Sequence, residues 1–155
     1  MLETSTLTAA DVMSRKLVTV PPDTSVRQVA KLFATHHISG MPVVDPEGHV
    51  LGIVSETDLL QWSDEPTPKQ SWWLQMLAEG TDLAPEYLNM IKSEREKVLH
   101  VMHSNVVSVT EETRLGDIAK LIISKAIKRV PVLRDGKLVG IVSRADLVRA
   151  LAQNS

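Results

Sequence analysis

The chain repeats itself in register. Val12-Met13 recurs as Val101-Met102, Val18-Thr19-Val20 as Val107-Ser108-Val109, Ala30-Lys31-Leu32 as Ala119-Lys120-Leu121, and Pro42-Val43 as Pro131-Val132, each 89 positions on. After a turn one residue shorter in the second copy the spacing becomes 88. Gly52-Ile53-Val54-Ser55 then returns as Gly140-Ile141-Val142-Ser143, and Asp58-Leu59 as Asp146-Leu147. Self-similarity held over so long a stretch constrains the fold more than any single motif. What one copy folds into, the other folds into as well. A unit of about fifty residues buries too little of its surface to stand alone, so the expectation is one folded object. Its two copies pack sheet to sheet about an approximate two-fold axis, with matching clefts between them.

Each copy reads strand, helix, strand, strand, helix, an α+β pattern. Val18 to Val20 is a short β-rich run closed by Pro21-Pro22. Val26, Val29, Ala30 and Phe33 share one helical face, and Leu115, Ile118, Ala119 and Ile122 repeat it. Thr24 and Thr113 stand where an N-cap is wanted. Met41 to Val44 and Val50 to Val54 are strands around the turn Asp45-Pro46-Glu47-Gly48. Arg134-Asp135-Gly136-Lys137 makes the equivalent turn, with Asp-Gly as a tight-hairpin signal. Ser55 and Ser143 open the closing helices. The expected division is residues 8–60 and 100–152 for the copies and 61–99 for an insert between them.

The insert has no counterpart in the repeat. Its prolines and charges at residues 64–68 mark a loop, Ser71 to Leu77 a short helix, and Pro85 the opening of a second. It holds Trp62, Trp72, Trp73 and Tyr87 of the chain's five aromatic residues. Side chains that large bury much area. They either cover a flank of their own subunit or form an intersubunit contact.

Composition excludes several functions. Seventeen basic and nineteen acidic side chains give a net charge of -2, without the basic excess that phosphate-rich nucleic acid demands. The absence of cysteine removes disulfides, thiolate metal sites and a Cys nucleophile. No signal peptide and no membrane-length apolar run is visible, so the expected location is the cytoplasm. Phosphate-cradling glycine loops and a nucleophile elbow are missing. His36-His37 and the pair His100 and His103 lack a carboxylate or cysteine at ligand spacing, and read as solvated or packed rather than metal-binding. No catalytic constellation emerges, and the chain is not expected to be an enzyme.

The strings Val-Thr-Val-Pro-Pro-Asp-Thr-Ser-Val, Ile-Ser-Gly-Met-Pro-Val-Val-Asp and Gly-Ile-Val-Ser-Glu-Thr-Asp-Leu resemble the cystathionine-β-synthase (CBS) domain. So do Ile-Lys-Arg-Val-Pro-Val-Leu and Gly-Ile-Val-Ser-Arg-Ala-Asp-Leu in the second copy. The resemblance covers about two thirds of the chain and implies a tandem pair, or Bateman module, like bacterial stand-alone CBS-pair proteins. Such pairs commonly bind AMP, ADP, ATP, NAD or S-adenosylmethionine. Carried onto this sequence, it implies one cleft with Asn105, Val107, Ile127, Lys128 and Arg129 facing Ile53, Ser55, Thr57 and Asp58. A mirror cleft would set Lys16, Val18, Ile38 and Ser39 against Ile141, Ser143 and Asp146.

These residue types suit a nucleoside. An ionised aspartate only accepts hydrogen bonds, so Asp58 or Asp146 can take both hydroxyls of a ribose diol. Ile and Val can sandwich adenine, and phosphates need cations or free helix N–H groups. Lys128-Arg129 supplies cations where the first copy has Ser39-Gly40, and Ala145 replaces the hydroxyl of Thr57. Asp58 is accordingly expected to serve the better phosphate site, with Arg144 a possible cation for the other. The same Ser-x-x-Asp segments also fit helix capping boxes, which would explain both without any ligand. The expected function is a regulatory module with an adenine nucleotide as ligand rather than catalyst. The alternative is a structural module that dimerises and docks a protein partner with its clefts unused. A homodimer is expected in either case.

Overall fold

The computed structural model describes residues 6–64 and 95–153. In chain order its elements are α1 (Ala9–Val12), α2 (Val26–His36), β1 (Gly40–Val44), β2 (Val50–Ser55), α3 (Glu56–Asp64), a 3-10 turn (Val98–His100), β3 (Val109–Thr110), α4 (Leu115–Ser124), β4 (Arg129–Arg134), β5 (Lys137–Ser143) and α5 (Arg144–Gln153). The expected α+β repeat is therefore present twice. The helices expected around Trp72, Trp73 and Tyr87 lie outside the described residues, whereas Trp62 sits on α3.

Two compact units form, and they do not coincide with the two copies. One takes the chain up to Val18, residues 46–50 and everything from Asn105. The other takes Thr19–Asp45 and Leu51–Ser104. The segment leading into each copy thus folds with the body of the other.

In the unit built on the first copy, β1 pairs with β2, and Val20 bridges Val43 in parallel. Val26, Val29 and Phe33 of α2 are buried, as the helical spacing predicts, together with Met41, Val43, Val54 and Val98. Val98 is held by its N–H donating to Thr24 O at 2.7 Å. The N-cap of α2 is Ser25, not Thr24, and its side chain accepts from Gln28 N at 3.1 Å. The helix starts one residue later than expected because the extended backbone of Ser25 places its hydroxyl in reach of the first turn.

The unit built on the second copy carries the sheet β3-β4-β5, with β3 parallel to β4 and β4 antiparallel to β5. Its core joins Leu115, Ile118 and Ile122 of α4 to Val130, Val132 and Val142, and to Ala9 and Met13 from the chain's N-terminal segment. Here too the expected cap is displaced. Arg114 occupies the N-cap position without a side-chain bond, and Thr113 Oγ1 instead accepts from Thr110 N at 3.1 Å. The Asp-Gly hairpin forms with both residues at positive φ, 52° and 81°, the backbone that a two-residue turn matching strand twist requires.

Candidate functional site

The first Ser-x-x-Asp segment spans the junction of β2 and α3. Ser55 N and Ser55 Oγ donate to Asp58 Oδ2 at 2.8 and 3.0 Å, and Asp58 N donates back to Ser55 Oγ at 3.2 Å. This is a reciprocal capping box, so the structural reading of the motif is correct as far as it goes. It engages one carboxylate oxygen. The other, Oδ1, meets Nε2 of His103. Asp58 is only 4% exposed, the buried charged residue among the described ones, while the His103 side chain is 71% exposed. A buried carboxylate needs such compensation, since burying it unpaired would be costly.

His103 reaches Asp58 because its backbone is already fixed. His103 N donates to Ile53 O and Ile53 N to His103 O, both at 2.9 Å. The residue leading into the second copy thereby becomes an extra strand position on β2. That close approach requires a glycine next door: a Cβ on Gly52 would stand 2.6 Å from His103 O and 2.7 Å from Met102 Sδ. On the other side, Ser39 O accepts from Glu56 N at 3.0 Å. Ile38, Ser39, Ile53, Ser55 and Asp58 are thus gathered in one unit, with exposed Thr57 on the same first turn of α3.

The second segment repeats the construction at the junction of β5 and α5. Ser143 N donates to Asp146 Oδ2 at 2.8 Å and Asp146 N to Ser143 Oγ at 3.2 Å. Oδ1 again has a side-chain partner, here Arg149 Nη2, which donates from the next turn of the same helix at 2.5 Å. Ser14 occupies the place of His103, exchanging backbone hydrogen bonds with Ile141 at 2.8 and 3.1 Å. Lys16 and Val18 follow it in the same unit.

Lys128 and Arg129 are bonded through their backbone to the second segment. Lys128 O accepts from Arg144 N at 2.9 Å, and Arg129 is the register partner of Ser143. The reason is hairpin geometry: β4 and β5 are joined by a tight turn, so the start of one strand must lie against the end of the other. Ser39 O likewise accepts from Glu56 N, beside Ser55. Asn105, Val107 and Ile127 fold in the unit that holds Asp146. Lys16, Lys128, Arg129 and Arg144 therefore all belong to the Asp146 unit, and His103 to the Asp58 unit. His103 is the residue that sequence reasoning set aside. The available signal was its place in the repeat, where a titratable side chain stands for Ser14.

No helix among the described residues is long and apolar enough to cross a membrane. Comparison with known proteins gives a consistent picture. The CBS domain model matches residues 9–65 and 98–153. An uncharacterized protein of Methanocaldococcus jannaschii is 32% identical over 150 residues, covering 91% of this chain and 89% of its own. The chloroplastic CBS domain-containing protein CBSX1 of Arabidopsis thaliana is 31% identical over 94% of this chain, which spans 64% of that protein's length. Among solved structures, CBSX2 in complex with AMP superimposes with a TM-score of 0.71 at 31% identity, covering 95% of this chain and 97% of that one. The CBS domain pair of MJ0100, solved with 5'-methylthioadenosine and S-adenosyl-L-methionine, shares the fold at a TM-score of 0.71 and 20% identity, covering 97% of this chain and all of that one. Two matched copies, each closed by its own Gly-Ile-Val-Ser-x-x-Asp segment, make this chain a member of the CBS-domain family with a tandem pair of repeats.

Proposed function

We propose that the chain is a regulatory module whose Ser-x-x-Asp segments bind an adenosine-containing ligand. One observation carries this reading. In both copies the capping box takes up Oδ2, and Oδ1 is held by an exposed side chain, His103 or Arg149. A cap alone needs one carboxylate oxygen. The second is oriented by the first and held by an exchangeable partner, an arrangement suited to accepting from a sugar hydroxyl. Ile38, Ile53, Ile127 and Ile141, all partly buried, supply apolar surface for a base. The AMP complex of CBSX2, a relative at 31% identity, supports the choice of ligand class.

The distribution of cations divides the two segments. Lys128 O accepts from Arg144 N beside Ser143, so two cationic residues adjoin the Asp146 segment and favour a phosphorylated ligand there. The Asp58 segment suits a ligand or a ligand portion of lower charge. Binding would favour one arrangement of the pair and be read by a partner. Thermal-shift assays with AMP, ATP, NAD, S-adenosylmethionine and adenosine test the proposal, because a ligand bound only to the native state raises its stability. A shift with at least one of them, reduced in Asp58→Asn or Asp146→Asn, is the expected result. The absence of any shift at millimolar concentration would remove it.

A second reading, assembly into a homodimer that docks a partner, is favoured by an apolar groove between α2 and α3. Val26, Ala30, Phe33, Leu59, Leu60 and Trp62 line it. Leu60 and its repeat equivalent Val148 are 66% and 65% exposed, which isolated solvated helices would not favour. Sedimentation of Leu60→Asp and Val148→Asp separates the readings. Dissociation with nucleotide binding retained supports assembly through these helices as a property separate from ligand sensing.

A further inference from the structure

We infer that His103 is a displaceable stand-in for the ligand at Asp58, making the first segment sensitive to pH in a way the second is not. The inference rests on the nucleoside reading of that segment. Three observations support it. The His103 imidazole occupies Asp58 Oδ1, the oxygen that the capping box leaves over. Its side chain is 71% exposed and free of the packing that would trap it. Its backbone is tied to Ile53 by two hydrogen bonds, so the imidazole can rotate away without the strand moving.

Displacement has a cost that depends on charge. Protonated imidazole and carboxylate form an ion pair, whereas neutral imidazole offers one ordinary N–H donor. A ribose hydroxyl therefore competes poorly with a protonated His103 and better with a neutral one. The other titratable or charged groups on the surrounding elements are Glu56 and Asp64 of α3, Arg27, Lys31 and His36 of α2, and His100 of the 3-10 turn, with Arg95, Glu96 and Lys97 before it. Strands β1 and β2 carry none. His100 pairs with Glu96 and His36 ends α2, whereas the Asp58 oxygens are held by Ser55 and His103. At Asp146 the competitor is Arg149, which stays charged across the whole range.

Adenosine is the appropriate probe, because it presents the diol and no phosphate that would titrate. Its affinity is measured by calorimetry at pH 6 and pH 8 for the Asp146→Asn protein, in which the first segment is read alone. The same measurement follows after adding His103→Ala or His103→Gln. The expected result is binding roughly three- to tenfold tighter at pH 8 than at pH 6, the span of a weak to moderate charged hydrogen bond. Both His103 variants should bind at pH 6 at least as tightly as the parent at pH 8, with the pH dependence gone. His103→Gln guards against a folding defect by keeping a polar side chain at the same strand position. If the variants keep the parent's pH dependence, or bind more weakly than the parent, His103 is not a stand-in and the inference falls while the nucleoside reading survives. If adenosine fails to bind the parent and the unmodified chain at either pH, the nucleoside reading falls and takes the inference with it.

Discussion

The Asp58 and Asp146 segments are built from the same local motif and differ in what surrounds it. Both start a helix with a reciprocal serine–aspartate box and both present Oδ1 to a side-chain nitrogen donor. At Asp58 that donor arrives from a distant strand position, and the carboxylate is nearly sealed. At Asp146 it comes from the next turn of the same helix, and the carboxylate is less buried, 13% exposed against 2% for its counterpart's side chain. One motif thus yields a tertiary contact in one copy and a local one in the other. Duplication preserves what is encoded within a few residues and lets long-range partners diverge.

The largest test of this contrast lies in the two glycines beneath the segments. Gly52→Ala would drive a Cβ against a backbone oxygen, His103 O, that also closes the strand pair. Gly140→Ala would meet mainly the Met13 side chain, which can yield. The expected losses are about 3 kcal/mol for Gly52→Ala and roughly 1–2 kcal/mol for Gly140→Ala, read from urea unfolding midpoints. Equal losses would show that the first copy is no more tightly closed than the second.

Removing the aspartates comes next. Asp58→Ala removes the carboxylate half of the capping box, leaving the bond from the residue 58 N–H to Ser55 Oγ, and strips His103 of its partner, costing about 2 kcal/mol; Asp146→Ala costs about 1 kcal/mol, the value of half a box with an exposed ion pair. A difference of the opposite sign would break the comparison. A smaller effect is expected where the copies agree. His37 and Ala126, at equivalent positions ending α2 and following α4, both have φ of 52°, in the left-handed region that glycine adopts without strain. Ala126→Gly should therefore stabilise the fold by up to about 1 kcal/mol, measured by the same unfolding assay.

The smallest expected effect concerns a pair that only the second copy has residues to form. Arg134 Nε and Nη2 donate to Glu111 at 2.5 and 2.7 Å, where the first copy has Pro22 and Asp45 at the equivalent positions. The Arg134 hydrogen bonds hold the Glu111 carboxyl below its ordinary range. The pair's contribution is complete above the pKa of an unfolded glutamate and is lost as pH falls through the lowered folded value. Arg134→Ala should lower Tm slightly at pH 7 and have no effect at a pH low enough to protonate Glu111 in both states. A difference that persists there would assign the loss to packing rather than charge.

Much of this was legible in the residues themselves. The spacing of Val26, Val29 and Phe33 fixed the buried face of α2, Asp135-Gly136 fixed the hairpin, and each Ser-x-x-Asp fixed a helix start. Each signal is complete within one or two turns of chain, where side chains three or four apart must meet regardless of the rest. Ser25 rather than Thr24 as cap shows the limit of even that, since an error of one residue leaves the pattern intact. The meeting of His103 with Asp58 and the folding of each lead-in segment with the other copy's body were decided by tertiary structure. These contacts join residues whose separation along the chain carries no periodic signal. They form because strands must complete their backbone hydrogen bonds with whichever neighbour the folded path supplies, and only that path determines which side chain then stands beside a buried carboxylate.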